Sequence, residues 1–202
     1  MKIPELYEHK KPVFCLKIFP PKKKGNIESI YDTVEQLAHC NPDFISVTYG
    51  AGGNLADNST CEIASRIKKQ YGIESVAHLT CVNSSKEDVE EMIGRLAEAD
   101  IENVLALRGD ISEDGEIKHD FHHANELAIE VQRKCRDNLE ILGACYPEGH
   151  VETEHKKDDI ANLKKKVDCG VDFLTTQMFF DNHILYNFLY RIREQGITVP
   201  VL

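Results

Sequence analysis

Five short apolar runs in this chain each break into side chains that can hydrogen-bond or carry charge. They are FISVTYGAGG (44–53), SVAHLTC (75–81), NVLALRGD (103–110), ILGACYPEGH (141–150) and DFLTTQMFFD (172–181), spaced about thirty residues apart. Thr48 and Tyr49 lead into GAGGN, whose glycines can bring backbone N–H groups near a phosphate. That stretch is not GxGxxG, so the dinucleotide fingerprint is absent. His78 lies on an apolar run just before Leu79-Thr80-Cys81, where an imidazole is either a satisfied core group or a ligand. Arg108-Gly109-Asp110 sets a guanidinium and a carboxylate around a residue that permits close approach. Such a tripeptide suits a bound polar cofactor, and equally a local ion pair in a turn. Tyr146-Pro147-Glu148-Gly149-His150 puts an aromatic ring, an acid and an imidazole on one turn. Gln177 closes TTQMFF, and its amide can read a heterocycle edge by donating and accepting at once. His119, His122 and His123 invite a metal, but neither HExxH nor zinc-type Cys/His spacing is present, and no metal is expected.

These residues need a scaffold that gathers strand ends. PVFCLKIF (12–19) reads as a first strand, followed by strands over 43–49, 74–80, 102–108, 140–146 and 171–179. Helices are expected over about 27–40, from Asn58-Ser59-Thr60 to about 70, from Ser84 or Ser85 to about 99, and over about 123–135, 155–169 and 182–195. Residues 109–124 form the longest insertion, polar and placed over the strand ends. ITVPVL (197–202) reads as the start of a seventh strand. Every crossover is long enough for a helix, which calls for a parallel sheet with helices outside it. The fold class expected is α/β, a TIM-like (β/α)8 barrel, here about six units plus the start of strand seven. Such a barrel carries its chemistry at the carboxyl ends of the strands. Residues 1–202 read as a single domain, either an incomplete barrel or a fragment of one.

The composition narrows the partners. The chain has 202 residues and a formal net charge of -10, opposite to the basic balance that phosphate neutralisation demands of a nucleic-acid binder. The lysine runs 22–24 and 164–166 are short enough to read as solvated faces. Seven cysteines without CxxC spacing read as buried thiols in a reducing compartment. No apolar stretch approaches a membrane span, MKIPELYEHKK lacks the apolar core of a secretory signal, and a cytoplasmic location is expected.

The motifs IFPPK, PDFISVTYGAGG, HLTC, LALRGD, YPEGH, LKKKVDCGVDF and TQMFFD occur in the order and spacing of one family. From about residue 12 to 202 the chain resembles the flavin-dependent, bacterial-type methylenetetrahydrofolate reductases. The resemblance implies an oxidoreductase of one-carbon metabolism and methionine biosynthesis. Its reaction passes a hydride from N5 of reduced FAD to 5,10-methylenetetrahydrofolate, giving 5-methyltetrahydrofolate. It implies FAD contacts from Thr48, Tyr49, Ala51, His78, Arg108, Gly109 and Asp110 in the first half. In the second half they come from His123, standing where a tyrosine is frequent, and from Ala124, Tyr146, His150, Asp159, Asn162, Lys165 and Lys166. Asp110 would lie near the flavin pyrimidine and the folate, and Gln177 would hydrogen-bond the pterin.

One position departs from the family. Its first-strand motif F-E-x-F-P-P carries the glutamate taken as general acid, and Lys17 stands there in this chain. An ammonium, with an ordinary pKa of about 10.4, is a poor proton donor at neutral pH. It also sets positive charge where a cationic iminium would form, unless it pairs with Asp110. A flavin-binding protein with impaired folate turnover is therefore the alternative reading. The electron donor implied is NADH, NADPH or a reduced protein partner, and a homo-oligomer is compatible with the resemblance.

Overall fold

A computed structural model describes residues 1–9, 12–20, 27–49, 59–110, 120–135 and 138–202. The GAGGN turn with Ala51, the first lysine run, and His119 in the insertion lie outside the described residues. Strands β1 (Cys15–Ile18), β2 (Phe44–Val47), β3 (Glu74–Thr80), β4 (Asn103–Leu107), β5 (Glu140–Cys145) and β6 (Phe173–Thr176) form one parallel sheet in sequence order. Helices α2 (Ile27–Ala38), α3 (Ser59–Tyr71), α4 (Lys86–Glu98), α5 (Ala124–Cys135) and α6 (Lys156–Asp168) make the crossovers, and α7 (Asn182–Glu194) follows β6. Unbroken strand order with a helix after each strand is the pattern of a β/α barrel wall. The seventh strand is present only as its first contacts. Leu174 N donates to Pro200 O and Thr176 N to Leu202 O, with Val201 bridging Leu174 in parallel.

Residue pattern explains both faces of the sheet. Ile45, Val47, Ala77, Leu79, Val104, Ala106, Ile141 and Leu174 pack under the helices with Ile63, Ile93, Leu127 and Ile192. The alternate positions line the inner face, and their character changes along the strands. Glu74, Asn103 and Glu140 begin β3, β4 and β5. Phe44, Val76, Leu105, Leu142 and Phe173 then form an apolar layer. Lys17, Ser46 and His78 follow toward the carboxyl ends. A fully buried mid-barrel layer fixes the strands, so the polar tips above it are held on a rigid base.

Helix α1 (Ile3–His9) was not expected from sequence, where the fold began at residue 12. It closes the amino end of the barrel. Ile3 is fully buried against the apolar layer, and the Tyr7 ring packs on Phe173 with centroids 5.4 Å apart. Ile3 N donates to Asn103 Oδ1 at 2.8 Å, and Asn103 Nδ2 donates to Met1 O at 3.0 Å. Lys2 pairs with Glu140 at 3.1 Å. Seven residues are too few for a helix to persist on propensity alone, so these tertiary contacts are what hold it.

The other differences are small. β1, β2 and β6 are shorter at their ends than the apolar runs suggested, because the flanking residues turn into loops. Of the two candidate serines before α4, Ser85 is the cap: its Oγ accepts from Asp88 N, and the Asp88 carboxylate accepts from Ser85 N. Cys61, Cys81 and Cys145 are buried thiols as expected, but Cys40 is exposed and Cys15, Cys135 and Cys169 are half-buried. Among the described residues no helix is long and apolar enough to cross a membrane, and no three His, Cys, Asp or Glu side chains group as metal ligands.

Candidate functional site

The carboxyl ends of β4 and β5 open into a cavity of about 480 Å³. β4 contributes Leu107 and Arg108, β5 contributes Ala144, Cys145 and Tyr146, and the turn after β5 adds His150, Glu152 and Thr153. α5 supplies Ala124 and Asn125 at its start, with His123 just before it. Asp159, Asn162, Leu163, Lys165 and Lys166 project from α6, and Phe188 of α7 closes the apolar side. A smaller cavity of about 290 Å³ adjoins it, sharing Tyr146, Asp159 and Phe188.

The local backbone explains why these side chains converge. The Arg108 carbonyl accepts from Cys81 N and Val82 N at 3.1 and 2.9 Å, tying the tip of β4 to the segment after β3. Gly109 then turns at φ +86°, and a Cβ there would sit 3.0 Å from Thr80 Cβ, so only glycine fits without strain. Gly143 works differently: its missing side chain leaves the space through which the Lys166 stem passes. Lys166 Nζ thereby reaches Ala144 O at 2.8 Å. Burial pushes the Lys166 ammonium below its ordinary pKa, with Cys145 and Asp159 acting the other way. The lysine run 164–166 is thus not one solvated face. Lys164 pairs outward with Asp168, while Lys165 and Lys166 line the cavity.

Charges in the cavity are partly matched. Arg108 Nη1 and Nη2 donate to Glu152 Oε2 and Oε1 at 2.7 and 2.8 Å, a two-pronged pair. This bond raises the Arg108 pKa and lowers that of Glu152. The ion pair is therefore with Glu152 and not with the neighbouring Asp110, which is exposed. Asp159 accepts from His150 N at 2.8 Å, His150 Nδ1 accepts from Glu152 N at 3.2 Å, and the Tyr146 and His150 rings meet edge to face at 4.7 Å. Glu126 accepts from His122 N and His123 N, which fixes the start of α5. Burial pushes the Cys145 thiol up to about 12, so it is a neutral wall and not a nucleophile.

The other strand tips form a separate cluster. Ser46 Oγ and His78 Nε2 lie 2.8 Å apart. Burial, with help from the Lys17 charge, brings the His78 pKa down to about 3, so this imidazole is neutral. Lys17 Nζ stands 5.6 Å over the Phe19 ring and pairs with no carboxylate among the described residues. The Lys17–Asp110 pair entertained from sequence is not formed. Thr48 is 7% exposed, its N donates to Ile18 O, and its Oγ1 has no hydrogen-bond partner among the described residues.

The cavity thus gathers Arg108, His123, Ala124, Tyr146, His150 and the α6 residues Asp159, Asn162, Lys165 and Lys166. Thr48, His78 and Lys17 belong to the β1–β3 tips, while Tyr49, Gly109, Asp110 and Gln177 do not line the cavity. Glu152, Asn125 and Phe188 were missed. Glu152 stands two residues after His150 in the same polar turn, and that proximity was the one signal available. Phe188 carried none, since an aromatic at helical spacing reads as core.

A six-stranded parallel wall with a cavity at its carboxyl ends defines a β/α barrel with a candidate ligand site. The family model described as "Methylenetetrahydrofolate reductase" matches residues 2–202, and the chain belongs to that family. It is 34% identical to "Methylenetetrahydrofolate reductase (NADH) 1" of Arabidopsis thaliana, over 100% of this chain and 36% of the plant protein. It is 34% identical to "5,10-methylenetetrahydrofolate reductase" of Pectobacterium carotovorum, over 91% of this chain and 60% of the relative. The chain therefore spans between about a third and three fifths of these relatives' length. Among solved structures, an uncharacterised Clostridium thermocellum protein that binds 5-methyl-5,6,7,8-tetrahydrofolic acid superposes with TM-score 0.66 at 12% identity, covering 98% of this chain and 68% of that one. A 2,3-dimethylmalate lyase does so with TM-score 0.64 at 8% identity, covering 98% and 78%. Barrels of such different chemistry share the fold alone.

Proposed function

We propose that this chain carries the FAD-binding part of an enzyme that reduces 5,10-methylenetetrahydrofolate to 5-methyltetrahydrofolate. The observation that carries the reading is the cavity that brings Arg108, Tyr146, His150, Asp159, Asn162, Lys165 and Lys166 together from three separate segments. Family membership makes folate the substrate class of first choice.

The residues present fit a flavin dinucleotide. Lys165 and Lys166 offer cations with no ion-paired carboxylate among the described residues. Thr48 Oγ1 is a buried hydroxyl awaiting a partner. Arg108, Lys165 and Lys166 would hold phosphate oxygens, Asp159 and Asn162 hydroxyl groups, and Thr48 and His78 the ring end. When bound, FAD supplies the hydride that the substrate carbon accepts. Neutral His78 keeps a second positive charge away from Lys17 and offers a hydrogen bond without net charge. Asp110 and Gln177, at the tips of β4 and β6, are the groups proposed to meet the folate.

Lys17 favours a second reading, a flavin-binding protein that turns folate over poorly. Its ammonium stands on the inner face close enough to His78 to lower that imidazole's pKa, and a carboxylate there would do the reverse. The electron donor, whether NADH, NADPH or a reduced protein, and a homo-oligomeric assembly remain part of the proposal from resemblance.

Two measurements separate the readings. Titration with FAD should give a bound flavin whose absorbance lies near about 450 nm and bleaches on reduction. A single turnover of photoreduced protein with methylenetetrahydrofolate then reports the folate step. Lys17→Glu should raise that step by at least about tenfold. If it leaves the rate unchanged, the role assigned to position 17 is wrong.

A further inference from the structure

The cations of the main cavity are not equally available. Lys165 and Lys166 have no carboxylate partner among the described residues, whereas Arg108 spends its fork on Glu152 and its Nε on Gly109 O. A carboxylate can only accept hydrogen bonds, so Glu152 offers nothing to a phosphate and repels it. It nevertheless lines the cavity beside the very group suited to phosphate.

The setting of the pair suggests why. The Arg108 backbone is fixed by two N–H bonds from the segment after β3. Glu152 sits in the turn between β5 and α6, with a side chain 55% exposed and a neighbour, Val151, at 98%. Its backbone N–H donates to the His150 ring in the same turn. One partner is therefore anchored and the other is carried by a solvent-facing turn that can move away at little cost.

We infer that Glu152 is a positioning residue acting as a latch: it holds Arg108 across the cavity until a phosphate-bearing ligand takes the guanidinium and displaces it. The ligand class is a diphosphate ester, first met by Lys165 and Lys166 and then clamped by Arg108. The inference rests on the proposed FAD reading only for the identity of that ester. An exposed two-pronged pair is a weak barrier, so the latch selects for anions strong enough to replace a carboxylate.

The test is calorimetric titration of the whole chain with inorganic pyrophosphate and, separately, with FAD. Glu152→Gln should bind both roughly two- to fivefold more tightly than wild type. That gain should vanish in an Arg108→Met background, because no guanidinium remains to be released. Weaker or unchanged pyrophosphate binding by Glu152→Gln overturns the latch, as does a gain that persists without Arg108. Glu152→Ser repeats the test should the glutamine variant prove unfolded by circular dichroism. Tighter pyrophosphate binding with no FAD binding in either protein would keep the latch and remove the flavin reading. FAD binding of equal strength in wild type and variant would do the opposite.

Discussion

At the amino ends of the strands, Asn103, Glu74 and Glu140 each meet a partner. Asn103 bonds to Ile3 N and Met1 O, Glu74 pairs with Lys68 at 3.2 Å, and Glu140 pairs with Lys2. At the carboxyl ends, Thr48 Oγ1 is unmatched, and Lys165 and Lys166 lack a carboxylate among the described residues. The same six strands thus end in a finished, sealed face and in an unfinished one. Unmet buried polar groups lower stability, so a fold keeps them where a ligand will meet them. Tyr7 and Ser75 depart from the pattern: their buried hydroxyls have no partner among the described residues although they lie at the amino end, and burial pushes the Tyr7 pKa up to about 12.

The comparison breaks most directly at Ile3. This side chain is fully buried between α1 and the apolar layer, and Ile3→Ala should cost about 3 kcal/mol of stability. The affinity of the remaining folded protein for FAD should stay within about twofold, because the sealed end lies across the apolar layer from the cavity. Urea melts and flavin titration on the same sample read both quantities. A large loss of affinity would show that the two ends are coupled and the division is false.

How much of this was legible in the sequence follows from range. Strand positions and helix starts depend on neighbours within a few residues, and the apolar runs and the serines before α4 announced them. Helix α1 depends on Asn103 and Phe173, far along the chain, and Ile3, Leu6 and Tyr7 at helical spacing are too short a run to announce it. The inward course of Lys166 depends on Gly143 having no side chain, a fact invisible in a run of three lysines. The Arg108–Glu152 pair links residues 44 apart in sequence, and only folding reveals that the arginine prefers it to Asp110. The family motifs supplied the candidate site residues, whereas the partners they meet had to come from geometry.

An intermediate effect belongs to His78. Its folded pKa of about 3 lies below the ordinary histidine value of about 6.5, so the unfolded chain takes up this proton first on acidification. The contribution to stability is complete above pH of about 6.5 and is lost progressively as pH falls toward 3. The slope reaches at most about 1.4 kcal/mol per pH unit, or about 2 kcal/mol by pH 5. Carboxylates titrate in the same window, so the quantity to measure is the difference between wild type and His78→Gln. The two stability curves should converge as pH drops from 6.5 to 4. Parallel curves would mean that His78 titrates normally and that the β1–β3 tips are wetter than the buried imidazole implies.

The smallest change is the most telling about the unfinished end. Thr48→Val removes an unmatched hydroxyl while keeping the branched shape. The backbone stays held by Thr48 N to Ile18 O and by the Thr60 hydroxyl, which donates to Thr48 O at 3.0 Å. Removing a buried hydroxyl that has no partner should stabilise the free chain by about 1 kcal/mol. The same substitution deletes a hydrogen bond proposed to form with FAD, and affinity should fall roughly fivefold. Stability and binding therefore move in opposite directions, which no substitution at the sealed end should reproduce. A melting point that drops for Thr48→Val would show that the hydroxyl is already satisfied in the free protein, and the contrast between the two ends would lose its sharpest member.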